Sequence, residues 1–150
     1  KRIRQTGAQI RTQSPVMKNI NNDPDVWATM WQQQVEMGLV PYYMFIARNT
    51  GAQHYFSISL EEAWKIFRKA YRQVAGLART GRGPVMSCYP GKIQVLGVSE
   101  IMNEKVFTLR ALQHRDPKHV MKPFFAKYDP EAIWYDELKP AFGEEKFFFE

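Results

Sequence analysis

The chain has 150 residues, of which 45% are hydrophobic and 24% are charged, a balance typical of a globular protein with one sizeable core. No apolar stretch approaches the roughly 20 residues of a membrane span, and the single cysteine, Cys88, excludes an internal disulfide, so we expect a cytoplasmic protein. The net charge of +6 permits an anionic partner, but acids separate the basic residues, which favours simple surface solvation.

The first elements predicted along the chain are a helix end, a strand, a helix and a second strand. Lys1–Gly7 is typical of the last turn of a helix, so we expect the chain to begin inside a fold, as a fragment of something longer. Ala8–Met17 predicts a strand, and Asp23 predicts the N-cap of a helix. The continuous apolar run Leu39–Ala47 predicts a strand buried on both faces. The apolar face expected on the helix consists of Val26, Trp27, Met30, Trp31 and Val35.

A second helix completes the first half of the chain. Arg48–Ser57 is expected to be a loop, and Ser59 with Glu62 forms a capping box that predicts a helix ending at Gly76. Strands that alternate with helices over short connections favour right-handed parallel βαβ units. The sequence therefore predicts the α/β class, as an open sheet or a barrel.

The second half has a different pattern. Pro84–Cys88 predicts a short buried strand, and Ile93–Val98 with Lys105–Leu112 predicts an antiparallel hairpin. Prolines leave room only for short elements after the hairpin, such as a helical turn or two over Ala132–Leu138. We expect a βα part over residues 1–78 and a closing appendage over residues 79–150.

Polar side chains follow the first two predicted strands, where parallel α/β folds bind ligands. Each is more often a loop residue than a ligand contact, but together they favour a small polar molecule over an extended polymer. Tyr42, Tyr43 and Phe45 precede them on the second strand, where aromatic residues usually belong to the core. No metal-ligand spacing or phosphate-binding glycine motif occurs. The polar residues are Gln13, Ser14, Asn19, Asn21, Asn22, Arg48, Asn49, Gln53 and His54.

Lys92 follows a Pro-Gly pair that predicts a sharp turn between two buried strands. An amine held at such a place is a candidate for covalent chemistry with an aldehyde cofactor. The alternative is an ordinary solvated turn lysine, which is the commoner case.

Five motifs occur in an order that resembles the carboxyl-terminal half of the lysine 2,3-aminomutase (KamA-like) family of radical S-adenosylmethionine proteins. They are Arg11–Asp23 (RTQSPVMKNINND), Val40–Phe45 (VPYYMF), Gly51–Phe56 (GAQHYF), Gly83-Pro84 and Pro90–Lys92 (PGK). The resemblance runs from the start of the chain to at least Leu112.

The resemblance implies a partial (β/α) barrel, of which this chain supplies about two βα units before the hairpin appendage. Family members cleave S-adenosylmethionine at a [4Fe–4S] cluster and use pyridoxal phosphate, bound to a lysine, to move an amino group between adjacent carbons. By resemblance Lys92 is that lysine and Gln13 contacts S-adenosylmethionine. Tyr42 and Phe45 lie beside the pyridoxal, and His54 matches a recurrent histidine.

The departures from the family pattern concern the cluster and the substrate. The three-cysteine motif is absent, so we expect the isolated chain to be inactive without the amino-terminal half of the same polypeptide. Two aspartates that hold the distal ammonium of lysine would fall at Cys88 and near Arg48 or Asn49. An acidic or neutral amino acid is therefore the expected substrate.

Two other functional hypotheses stay open from the sequence. The chain could be a non-catalytic relative that binds a phosphate-bearing ligand or nucleic acid through its basic rim, although nucleic acid is the less favoured partner. It could also be a piece without independent activity, because an open half-barrel leaves strand edges unpaired. For the whole protein we expect a homo-oligomer, no membrane and no resident metal on this chain.

Overall fold

The computed structural model describes residues 2–48 and 50–150, which contain one six-stranded sheet and three α-helices. The strands are neighbours in chain order, from β1 at one edge to β6 at the other. The predicted α/β class is therefore confirmed. The strands are β1 (Arg11–Val16), β2 (Val40–Ile46), β3 (Arg82–Cys88), β4 (Gly91–Ile101), β5 (Glu104–His114) and β6 (Pro123–Lys127); the helices are α1 (Pro24–Glu36), α2 (Gln53–Phe56) and α3 (Leu60–Gln73).

The sheet is parallel in its first half and antiparallel in its second. The strands β1, β2 and β3 run parallel because α1 and then α3 return the chain to the same end of the sheet. The strands β3 to β6 are antiparallel, and the predicted hairpin is β4 with β5. Over the described residues the sheet is not closed, so no barrel is formed by this chain alone.

The sheet continues without interruption across the expected boundary between residues 78 and 79. The 3₁₀ turn Gly76–Ala78 ends just before that boundary, and β3 begins just after it. There β3 pairs with β2 on one side and with β4 on the other. The hairpin is thus hydrogen-bonded into the same sheet as the parallel strands, and the division into two domains stays a prediction.

Local capping signals explain where the two long helices begin. Asp23 accepts a hydrogen bond from the backbone amide of Asp25 at 2.7 Å, with Pro24 at the first helical position. Ser59 accepts one from the amide of Glu62 at 3.2 Å, which confirms that Ser59 caps α3. On α1 the prediction that Val26 faces the core is wrong, because its side chain is 46% exposed. Ala28 and Gln34 are buried there instead.

Three short elements differ from the sequence expectations. The expected loop 48–57 contains the single helical turn α2, and Ala132–Leu138 forms only the 3₁₀ turn Tyr135–Glu137. At the start of the chain the described helical turn is also 3₁₀ (Arg4–Thr6) and ends at Gly7 with a φ of 82°. Within the described ranges no helix is long and apolar enough to cross a bilayer.

The two faces of the sheet carry cores of very different size. The large core packs α1 and α3 on one face, with Trp27 and Trp31 among its buried residues. The other face carries a small cluster of Tyr43, Val85 and Leu112, to which neither α1 nor α3 contributes. The two long helices therefore pack on the first face and not on this second one.

Candidate active site

A pocket of about 540 Å³ lies on the helix-poor face, at the carboxyl ends of β1 and β2. Its walls come from these strands, from α2 and the residues before it, and from the facing ends of β3 and β4. Ligands of open α/β sheets bind at this end of the strands. The lining residues are Gln13, Pro15, Met17, Phe45, Ile46, Ala47, Arg48, Thr50, Ala52, Gln53, Phe56, Ser87 and Lys92.

Lys92 lines this pocket from a strand, which corrects its predicted position in a turn. The turn itself is Tyr89-Pro90, and the antiparallel ladder closes on the pair Cys88 with Gly91. Gly91 has a φ of +145°, which a side chain would disfavour, so the chain re-enters the sheet at once. Lys92 then pairs with Ser87 on β3 and with Gln113 on β5. A strand fixes its backbone more firmly than a turn would.

The amine of Lys92 lies over an aromatic floor. Its Nζ is 5.0 Å from the centre of the Tyr43 ring, a cation–π distance. The Phe45 ring lies 5.0 Å from that of Tyr43 and reaches the pocket. The Tyr43 hydroxyl is buried without a hydrogen-bond partner among the described residues, and burial raises the pKa of Tyr43. This floor can stack against a flat ring and keep water from the amine.

The polar part of the lining is cationic or neutral. Gln13 on β1 pairs with Tyr43 on β2, and its exposed side chain reaches the pocket rim. Arg48 follows β2 and is also exposed at the rim. No carboxylate is present among the described lining residues. The site thus suits an anionic or neutral group better than a second ammonium.

The structure brings Lys92, Phe45, Gln13 and Arg48 to one pocket, but it places Tyr42 elsewhere. Tyr42 lies nearer the start of β2, outside the pocket lining. Its ring is 5.2 Å from the guanidinium of Arg11 and 5.5 Å from that of Arg82.

Two further predicted site residues, His54 and Cys88, also lie apart from the lining. His54 is exposed on α2, although its neighbour Gln53 lines the pocket. Cys88 packs against the large core on the opposite face, and its Sγ donates to the carbonyl of Gly91 at 3.6 Å. Burial raises the pKa of the Cys88 thiol to about 12. Asn49 falls outside the described residues.

Sequence reasoning did not single out Ser87 or Tyr43 as site residues. Ser87 faces Lys92 across the hairpin, and Tyr43 lies beneath its amine. The two-residue turn was the signal that could have identified Ser87, because it fixes which residues pair across the strands. For Tyr43 the sequence offered no such signal, since the cross-strand contact joins distant parts of the chain.

The residues present fit a flat aldehyde cofactor but offer no metal centre. An amine above a tyrosine ring, in a pocket that Phe45 also lines, can hold a flat aromatic aldehyde covalently. Over the described parts of the chain, no three His, Cys, Asp or Glu side chains come together to hold a metal ion.

Comparison with known proteins shows that the sequence of this chain is similar to part of a named protein. No model of a known protein family matches it. The chain is 32% identical, over 144 residues, to the putative L-lysine 2,3-aminomutase of Aquifex aeolicus (strain VF5). The match covers 96% of this chain but only 37% of that protein. It confirms the resemblance that the ordered motifs predicted, because the chain is similar over almost its whole length to a part of a putative lysine 2,3-aminomutase.

Proposed function

We propose that this chain is the pyridoxal-anchoring part of a radical S-adenosylmethionine enzyme that moves an amino group between adjacent carbons of an amino acid. The observation that carries the proposal is the position of Lys92, whose amine lies above Tyr43 in a pocket large enough for an amino acid and a flat cofactor. The relationship to the Aquifex protein supports the same reaction class.

The sheet is compatible with one wall of a partial (β/α) barrel. Its parallel strands carry α1 and α3 on one face, as barrel strands do on their outside. The pocket then lies on the inner face and at the carboxyl ends, where barrel enzymes have their active sites. The chain matches only 37% of the length of its relative. We infer that the segments of the full-length protein that correspond to the unmatched part form the rest of the barrel and carry the cysteines that hold the [4Fe–4S] cluster.

The pocket residues of this chain would each have a different role in binding the cofactors. Lys92 would hold pyridoxal phosphate covalently, and the bound cofactor would supply the aldehyde carbon to which the migrating amino group is attached. Phe45 and Tyr43 would stack against its ring and exclude water. Gln13 would contact S-adenosylmethionine at the rim.

We further propose that the substrate is an acidic or neutral amino acid rather than lysine. Arg48 is a described cation on the pocket rim, and the described lining contains no carboxylate for a distal ammonium. Cys88 cannot replace such a carboxylate, because it is half-buried against the large core on the opposite face and its raised pKa keeps the thiol neutral. A guanidinium favours a substrate carboxylate.

The experiment that tests this function uses the full-length protein, reduced anaerobically and supplied with S-adenosylmethionine and pyridoxal phosphate. Glutamate, alanine and lysine are offered separately, and nuclear magnetic resonance detects the β-amino product. We expect an acidic or neutral substrate to be turned over at least about tenfold faster than lysine, a difference of about 1.4 kcal/mol. Lys92→Ala should abolish turnover.

The matched control is Lys105→Ala, because Lys105 contacts Tyr128 and lies outside the pocket lining. It should retain activity close to that of the unaltered protein. Preference for lysine would contradict the substrate assignment, and absence of an amino shift with every amino acid would contradict the reaction itself. Steeply salt-dependent binding of nucleic acid by such an inactive protein would favour the non-catalytic alternative.

A further inference from the structure

We propose that the aromatic segment Phe147–Phe149 positions Lys92, acting through His114 and Gly91. The inference rests on the proposed role of Lys92 but concerns residues to which that role assigns nothing. Phe149 packs on His114, His114 lies opposite Gly91, and Gly91 precedes Lys92. Each step is a direct contact, so a change at one end can reach the other.

The first step joins β5 to the residue before Lys92. Gly91 pairs with His114, and a Cβ on Gly91 would overlap the carbonyl of Gln113 and lie 3.0 Å from the Cα of His114. The two backbones therefore touch with no side chain between them. The amide of Arg115 also donates to the carbonyl of Pro90 at 3.3 Å. The place of Lys92 on its strand thus depends on where the end of β5 lies.

The second step is the way in which His114 is held. Its Nδ1 lies 3.0 Å from the amide nitrogen of Asp116, from which it can accept a hydrogen bond, and 3.2 Å from the carbonyl oxygen of the same residue. The Nε2 of His114 is buried and has no partner among the described residues. The ring instead packs against His119 at 4.8 Å and Phe149 at 5.3 Å between centres. Aromatic packing is therefore the main restraint on the outer side of this ring.

The third step is the anchoring of the aromatic segment itself. The rings of Phe147 and Phe149 stack at 5.6 Å with an interplanar angle of 11°, and both meet the ring of Phe124 edge-on. Glu150 accepts hydrogen bonds from the Tyr135 hydroxyl and the Phe147 amide, both at 3.1 Å. These bonds hold the segment in one place, so Phe149 is a fixed support and not a loose contact.

General core packing is the alternative explanation of these contacts. If the role of Phe149 were purely structural, Phe149→Ala would lower the stability of the protein. It would not slow the labelling of Lys92 more than the labelling of the other lysines. Phe142 provides the matched control, because its ring packs only on Phe125, at 5.6 Å, among the aromatic contacts of the described residues. Phe142→Ala therefore removes a phenyl ring next to β6 without removing a contact of His114.

The test traps pyridoxal phosphate on the full-length protein with borohydride and follows the label at each lysine by peptide mass spectrometry. Measurements are made well below the thermal unfolding midpoint of every variant. We expect Phe149→Ala to slow labelling of Lys92 at least about fivefold relative to other labelled lysines, a loss of about 1 kcal/mol. Phe149→Tyr, which keeps the ring, should restore the rate, and Phe142→Ala should leave it unchanged.

Two results separate the failure of this inference from the failure of the proposed function. Labelling of Lys92 at the same rate in Phe149→Ala and in the unaltered protein would overturn the positioning role alone. Absence of label at Lys92 in the unaltered protein would overturn the proposed function. In that case hydrogen exchange of the Lys92 and Ile93 backbone amides tests the positioning role independently of the cofactor. Exchange at least about fivefold faster in Phe149→Ala than in Phe142→Ala would support the positioning role. Equal exchange rates in the two variants would overturn it.

Discussion

Cys88 and Lys92 belong to the two strands of one hairpin, and their side chains point to opposite faces of the sheet. Adjacent cross-strand pairs alternate between faces, and here Cys88 pairs with Gly91 while Lys92 pairs with Ser87. Cys88 packs on the large core, whereas Lys92 lines the pocket. The same local turn therefore places one residue against the core and the other in the pocket.

The reactivity of Cys88 tests this division at the level of a single thiol. Burial raises its pKa to about 12, so little thiolate exists near pH 8 and the reactive form appears only as the pH rises further. We expect iodoacetamide at pH 8 to alkylate Cys88 at least about a hundredfold more slowly in the folded protein than in urea. Rapid alkylation of the folded protein would show that the thiol reaches solvent or the pocket.

Part of the site could be foreseen from individual residues and part could not. The motif order identified Lys92, Phe45 and Gln13, and the polar residues expected after the second strand included Arg48; these four residues line one pocket. The role of Tyr43 as the floor below Lys92 depends on a contact between β2 and β4, two strands that are not neighbours in the sheet. Such a contact follows from register and packing, which residue identity alone does not specify.

At the scale of elements, the hairpin of β3 and β4 is the feature that orients Lys92. Gly91 allows it by adopting a φ of +145° at a place where the backbone of β5 leaves no room for a side chain. A two-residue turn followed by a glycine is a compact way to return the chain directly into the ladder. The position of the amine thus depends on a backbone contact rather than on a side-chain hydrogen bond.

Replacement of Gly91 by alanine tests that backbone contact. The added Cβ would overlap the Gln113 carbonyl, so we expect Gly91→Ala to lower the free energy of unfolding by about 3 kcal/mol or more. Gly143→Ala is the matched control, because Gly143 also has a positive φ, of 78°, but open space around it. Its cost should be about 1–2 kcal/mol, from backbone strain alone. Equal costs in urea unfolding would contradict the close approach of β5.

The elements that sequence predicted well are those with local signals. The caps at Asp23 and Ser59 fixed both long helices, because a cap satisfies backbone amides within a few residues. The strand β6 was missed, since Pro123 at its start and the prolines near it argued against a strand. It forms because β5 offers it a free edge, and pairing between strands is a tertiary effect.

At the scale of the whole molecule, the two faces of the sheet are unequal, and the pocket lies on the face that the long helices do not cover. Two long helices and the large core give one face its stability, and the other face is left to the small aromatic cluster and the pocket. The chain matches 37% of the length of its relative, so the cluster chemistry and the remaining walls of the site are proposed to come from elsewhere in the full-length protein. In this proposal the chain supplies the amine of Lys92, the Tyr43 ring below it and the aromatic segment Phe147–Phe149 that supports β5.

The site of covalent attachment is the most direct test of the central claim that Lys92 holds pyridoxal phosphate. The full-length protein is treated with pyridoxal phosphate and borohydride, and the reduced adduct is mapped by peptide mass spectrometry, with Lys92→Arg as the variant that keeps the charge but cannot form the bond. The account predicts one dominant adduct on Lys92 that disappears in Lys92→Arg. A dominant adduct on another lysine, or no specific adduct, would contradict it.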